Sequence, residues 1–350
     1  MVFQDCSVRA VIVFVIMFIA SCGGTGGDNT VSNAPNTSTT TTSLPSSIQE
    51  ILEAATSKDI DGIFLYIEQP GKLDESYAAG IQDNSMQLPA NANSLFKIAS
   101  ISKLFIAVSA SKMVVEGVIS LDDTLAHWLP ELADRIENSE SITISQLIQH
   151  RSGIVDFDSQ SGFSWQNPHT DIDNTLLFAL DKPADFLPNS KYEYSNTNYL
   201  LLAKILDKAL GYSHQVYIVE HIIMPLGMAD TYLELSDIDP SLLVKGYWGN
   251  VERSMQDYVI PGGSMISTVK DVATFIRALN TGTLLSAEER NIYASVYWFN
   301  HSGWLPGYQS IANYHSDIDA VVIQFINTTG GSSENIASST NSDIVSFLRQ

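Results

Sequence analysis

LFKIASISKLFIAVSASKMVVEG, residues 95–117, joins an extended-looking run to an apolar helix and places Ser100 and Lys103 at the junction. Across residues 101–116, Leu104, Phe105, Val108, Met113 and Val115 suit a mostly buried helix that Gly117 stops. A serine at a helix start can aim its own N–H at a developing oxyanion, and a lysine three residues on shares its face. Four Ser-x-x-Lys pairs occur, begun by Ser94, Ser100, Ser109 and Ser267. Ser94 precedes the extended run, and Ser109 lies mid-helix with its N–H committed to the ladder. Ser267 also sits near a helix start, so spacing leaves it open beside Ser100. The bland reading of Ser100 is a helix cap next to a solvated lysine.

Outward from this junction, Ser47 and Glu50 form a Ser-x-x-Glu capping pattern ahead of a helix carrying Ile48, Ile51, Leu52 and Ala55. Residues 62–69 (GIFLYIEQ) and 77–80 read as strands around Pro70-Gly71, which suggests a hairpin. Helical patterns then dominate at residues 145–150, 173–180, 197–210, closed by Gly211, and 213–225. After a further helix at 269–279, strands return at 297–300, 308–315 and 320–327, before a last helix. A sheet built from both chain ends around a helical block is an α+β architecture. The expected division is an α/β part at 47–116 and 258–350 with a helical insert at 117–257.

The chain has 350 residues, 45% of them hydrophobic and 16% charged, enough to bury a sizeable core. Its formal charge of −21 disfavours sequence-independent binding to nucleic acid and also serves solubility. Residues 10–20 (AVIVFVIMFIA) are apolar but too short to span a bilayer, as in a signal peptide. They lead into Ile19-Ala20-Ser21-Cys22, which resembles a bacterial lipobox, so residues 1–22 are expected to be a lipoprotein signal peptide with Cys22 lipidated. Arg9 is the sole basic residue of that leader and Asp5 departs from the pattern, which leaves simple cleavage open. Gly23 after the cysteine resembles outer-membrane sorting, and residues 23–46 read as a Gly/Ser/Thr-rich tether. Both cysteines, Cys6 and Cys22, lie in the leader, so cysteine chemistry is excluded from the folded part.

Downstream of Ser100, Tyr194-Ser195-Asn196 precedes a helix and His301-Ser302-Gly303 is expected to close a strand. With EGVISLDDTLAHWLPEL, ITISQLIQHRSGIVDF, YEYSNTNYLLLAKIL, GGSMISTVKDVATFIRAL and HSGWLPGYQS, these motifs run in one order. In that order the sequence resembles the serine β-lactamase and D,D-peptidase superfamily, in the branch of class C β-lactamases, D-alanyl-D-alanine carboxypeptidases and related esterases. The resemblance covers nearly all of residues 47–350. It implies a serine β-lactamase-like fold and two-step acyl transfer through Ser100 without a cofactor.

Residue by residue, the resemblance makes Lys103 the group that accepts the Ser100 proton. Tyr194 protonates the leaving group, its phenol acidified by the nearby ammonium. Asn196 would bind both the substrate amide and Lys103. His301 stands where class C β-lactamases carry lysine, so it would hold a substrate carboxylate only when protonated, near pH 6.5 by its reference pKa of about 6.5. Gly303 belongs to the same substrate-binding strand, and the backbone N–H groups of Ser100 and Trp304 would form the oxyanion hole. His150 is read as structural, Pro261-Gly262-Gly263 as a loop lining the cleft.

Relatives place a further strand before the His-x-Gly motif; here it is either lost or absorbed into YASVYWFN, residues 293–300. No HExxH spacing points to a metal, and no Gly-x-Ser-x-Gly elbow to an α/β-hydrolase. The expected substrate is a small acyl or peptide compound, first a D-Ala-D-Ala-like peptidoglycan stem, with esters, β-lactams and a catalytically dead cell-wall binder as alternatives. Membrane association would run through the lipid anchor, and the sequence leaves the oligomeric state open.

Overall fold

Residues 62–68 alternate between two apolar environments rather than between core and solvent, and this sets the layering. In strand β1 (Gly62–Glu68), Ile63, Leu65 and Ile67 enter one hydrophobic cluster while Phe64 and Tyr66 enter another. A strand covered on both faces has no polar face to show, which is why GIFLYIE reads as a continuous apolar run. The computed structural model describes residues 45–72 and 74–350; the expected leader, Cys22 and most of the tether lie outside the described residues.

The sheet is antiparallel, six-stranded, and mixes both ends of the chain. β1 pairs with β2 (Glu75–Asp83), which pairs with the short β3 (Leu88–Pro89). On its other side β1 pairs with β6 (Ala320–Ile326), followed by β5 (Tyr308–His315) and β4 (His301–Leu305) at the far edge. Helices α1 (Ile48–Thr56) and α6 (Ser333–Leu348) cover one face, through Ile51, Leu52, Ile336 and Ile344. On the other lie α2 (Ser102–Val115) and α4 (Val269–Thr281), joined by Phe105 stacked on Phe275 at 3.9 Å. The helical segments between, with α3 (Thr197–Leu210) the longest, share that cluster, and Pro45–Gln350 is one compact unit. The fold is α+β, an antiparallel sheet between helical layers, as expected.

Two local expectations change. Residues 297–300 are not a strand: Ser286 and Glu289 form a reciprocal capping box that starts helix α5 (Ala287–Val296). The apolar residues of YASVYWFN therefore bury from a helix and its exit turn, through Tyr293, Val296 and Tyr297. The extra strand of relatives is absent here among the described residues, and His301-Ser302-Gly303 opens β4 rather than closing a run. At α1, Ser47 Oγ accepts the Glu50 N–H as expected, but the Glu50 carboxylate takes the N–H and hydroxyl of Ser46 instead of closing the box on Ser47. The helix read at 173–180 is regular only over Ile172–Leu176.

Candidate active site

Ser100 does not sit in the α-helix proper. It occupies a single 3-10 turn, Ala99–Ile101, that leads into α2. Ala99 adopts φ 52° while fully buried, a conformation unusual for a residue with a Cβ and one the packing must hold in place. In so short a turn the Ser100 N–H has no preceding carbonyl to bond, so it remains a donor toward the cleft. Lys103, one turn on and buried, reaches Ser100 Oγ at 3.0 Å, Asn196 Oδ1 at 2.9 Å and the Gly262 carbonyl at 2.9 Å. Tyr194 donates its hydroxyl to Ser100 Oγ at 3.0 Å. Residues 100, 103, 194 and 196 thus form one hydrogen-bonded group assembled from α2 and the start of α3.

The other Ser-x-x-Lys serines are elsewhere. Ser109 Oγ bonds back to the Phe105 carbonyl within α2. Buried Ser267 bonds Thr231, and Ser94 bonds Gln82. None meets a lysine of its own pair, and the ambiguity over Ser267 is removed.

Residues 148–157 are tied to the start of α3 by hydrogen bonds. Ser195 N–H donates to His150 Nδ1 at 3.1 Å, Thr197 Oγ1 donates to the Val155 carbonyl and accepts from Phe157 N–H, and Tyr199 reaches the Ile148 carbonyl. These bonds give His150 the structural role read from sequence, and its ring stacks on Tyr194 with centroids 4.3 Å apart. They also deliver Asp156 and Asp158, which sequence reasoning did not single out. Asn196 Nδ2 lies 3.2 Å from Asp156 Oδ2 and 3.2 Å from Asp158 Oδ2. The signal available was two acids flanking the apolar Phe157 in VDFDS, the first inside the quoted ITISQLIQHRSGIVDF and the second just beyond its end.

Across the cleft, β4 approaches Ser100 closely. A Cβ on Gly303 would stand 2.5 Å from the Ile98 carbonyl oxygen and 2.8 Å from Ala99 Cβ, so only glycine admits this contact. The turn after β4 is closed by Leu305 and Tyr308, with Trp304 opposite Gln309. Hydrogen-bonded and non-bonded pairs alternate in an antiparallel ladder, so with Leu305 and Tyr308 closing the turn the Trp304 N–H points off the free edge of β4 rather than to β5. Its indole donates to Glu334 Oε1 at 3.0 Å.

Burial decides the protonation states. It pushes the Lys103 ammonium down to about 7, against the pull of the Asp156 and Asp158 charges. The same cause raises Asp156 and Asp158, and the charge of Asp158 adds to the rise at Asp156. Tyr194 departs from expectation: burial, then Tyr297, holds its phenol well above the ordinary value, so no neighbouring ammonium acidifies it. His301 departs too. Burial and the Lys103 charge bring it down to about 4, and its Nε2 pairs with the Tyr297 hydroxyl at 2.9 Å while Nδ1 faces the Ser302 carbonyl. Both effects disfavour the protonated form that the carboxylate-binding role would require. Among the described residues, no group of three His, Cys, Asp or Glu is arranged to hold a metal ion, and no helix is long and apolar enough to cross a membrane.

A buried lysine thus lies between a turn-borne serine, a phenol and an Asn amide, a grouping chemically able to activate the serine hydroxyl. The chain belongs to the Beta-lactamase family, whose sequence model matches residues 48–297 and so ends before His301. It is similar to Penicillin-binding protein 4* of Bacillus subtilis, 29% identical over 189 residues that cover 53% of this chain and 41% of that protein. Protein flp of Staphylococcus aureus strain MW2 is 24% identical over 77% of this chain and 63% of its own length. The chain thus spans less than two thirds of these curated relatives. Among solved structures, D-amino acid amidase from Ochrobactrum anthropi SV3 superposes with a TM-score of 0.75 at 23% identity, covering 85% of this chain and 95% of the amidase. The penicillin binding protein from Bacillus halodurans gives 0.72 at 18% identity, covering 85% and 99%. At these identities the structures support the fold alone.

Proposed function

We propose that this hydrolase works by two-step acyl transfer on Ser100 and that its substrates are amides or peptides. The observation that carries the reading is the convergence of Lys103 Nζ and the Tyr194 hydroxyl on one hydroxyl oxygen, that of Ser100. Neutral Lys103 has two N–H groups and a lone pair. With the N–H groups on Asn196 Oδ1 and the Gly262 carbonyl, the lone pair faces Ser100 Oγ. Ser100 Oγ bonds to the acyl carbon as its proton passes to Lys103 Nζ. The N–H groups of Ser100 and Trp304 receive the oxyanion. As the carbon–nitrogen bond breaks, Tyr194, still a phenol, gives its proton to the leaving amine and regains one from Lys103. Water then attacks the Ser100 ester by the reverse relay, which releases the acid and restores the hydroxyl.

The disfavoured protonation of His301 weighs against a carboxypeptidase that must hold a terminal carboxylate, and an amidase needs no such cation. The intact hydrogen-bonded group weighs against a catalytically dead wall binder, since a binder has no use for a lysine held near neutrality. Hydrolysis of p-nitrophenyl acetate, with acetylation of the peptide bearing Ser100 seen by mass spectrometry, tests the reading. Ser100→Ala should abolish both while melting like the parent protein; activity retained in Ser100→Ala would overturn it.

A further inference from the structure

The amide of Asn196 is already fully engaged. Its Oδ1 accepts from Lys103 and its two N–H groups face Asp156 and Asp158, and the reversed amide would set NH2 against an amine and oxygen against two carboxylates. The group expected to bind the carbonyl of an acylated substrate amine is thus occupied by carboxylates. A second observation concerns the other oxygen of the same carboxyl: Asp156 Oδ1 is shielded from solvent and makes no well-formed hydrogen bond, although the backbone N–H groups of Asn196 and Thr197 act on the carboxyl. A buried carboxylate oxygen without a donor is costly, and a cationic donor arriving with a ligand removes that cost. Third, the hydrogen-bond and ring partners of Ser100, Tyr194 and Asn196 include one amine, Lys103, which burial holds near neutrality, and the neighbouring His301 ring is engaged by the Tyr297 hydroxyl.

We infer that the substrate carries a protonated amine next to its scissile carbonyl, and that Asp158, backed by Asp156, receives it. The substrate class is then an amino-acid amide or ester, or a peptide with a free amino end, in preference to an N-acylated or carboxylate-terminated compound. A free ammonium meets the paired carboxylates with three N–H donors, whereas an acetylated amine brings a carbonyl oxygen toward like charge. The inference rests on acyl transfer at Ser100 but on no particular leaving group.

The test uses the purified protein with methyl esters of alanine and phenylalanine, both enantiomers, each with a free and with an acetylated amine. At pH 7 the free-amine ester of the preferred enantiomer should show kcat/KM at least about tenfold above its acetylated partner, a ratio equivalent to about 1.4 kcal/mol. In Asp158→Asn that ratio should fall toward one. Equal or better turnover of the acetylated esters, an unchanged ratio in Asp158→Asn, or hydrolysis of p-nitrophenyl acetate with none of the free-amine esters would each overturn the inference and leave the Ser100 reading standing. Turnover that survives Ser100→Ala removes both.

Discussion

Four serines stand three residues before a lysine, and what separates them is the fate of the hydroxyl. Ser109 returns its proton to its own helix, Ser267 and Ser94 to neighbouring polar side chains, and Ser100 alone among these meets a lysine and a phenol at once. Lys103 is the group whose titration should show in the rate. Activity requires its neutral form, so kcat/KM for p-nitrophenyl acetate should fall as pH drops through about 7, where burial has brought the ammonium. The Asp156 charge raises that value, so Asp156→Asn should move the limb to lower pH. An unmoved or upward-moved limb in a pH profile would separate the carboxylates from the base. No second limb is expected near 6.5, because burial and the Lys103 charge pull His301 below the usual histidine range. Ser100, Lys103, Tyr194 and Asn196 were legible because each has a chemistry tied to its motif. Asp156 and Asp158 were not, because nothing in VDFDS says that hydrogen bonds from Thr197 will fold it against Asn196.

The elements that sequence located well are those whose ends carry their own signals. α3 runs over Thr197–Leu210, ended by Gly211 at φ 74°, and β5 over Tyr308–His315, both as read. Residues 297–300 were misread because aromatic residues fit a strand as easily as the exit of a buried helix, and the Ser286 capping box that starts α5, a local signal not used, distinguishes them. The approach of β4 to the Ser100 turn gives an element-scale prediction. Gly303→Ala would drive a Cβ into the Ile98 carbonyl and Ala99, with Ser310 Oγ at 2.5 Å blocking the other side. Overpacking of this kind costs about 1–3 kcal/mol, and the outcome expected is a lowered melting temperature together with a loss of kcat as the Trp304 N–H shifts from the oxyanion position. Thermal denaturation and ester kinetics on the variant check it; full kcat with an unchanged melt would mean that β4 does not hold that donor in place.

At the scale of the molecule, the nucleophile rests on a sheet that the two ends of the chain build together. β1 lies beside β6, and α1 and α6 cover the same face, with Ile63, Leu65, Val322 and Ile326 beneath them. Deleting residues 333–350 would uncover those side chains and remove the Glu334 acceptor of the Trp304 indole. The truncated protein should lose its cooperative thermal transition and bind a hydrophobic dye such as ANS, although every residue named in the acyl-transfer steps remains; a cooperative melt with retained activity would refute this. Sequence by itself determined the α+β class, the mixing of chain ends in one sheet and the residues around the nucleophile, because apolar period, capping residues and ordered motifs are local properties. Only the tertiary structure decided that burial holds His301 below and Tyr194 above their ordinary ranges and that two carboxyl groups occupy the Asn196 amide. Those are consequences of burial and of contacts between segments far apart in the chain, and burial, not residue type, sets where a proton resides.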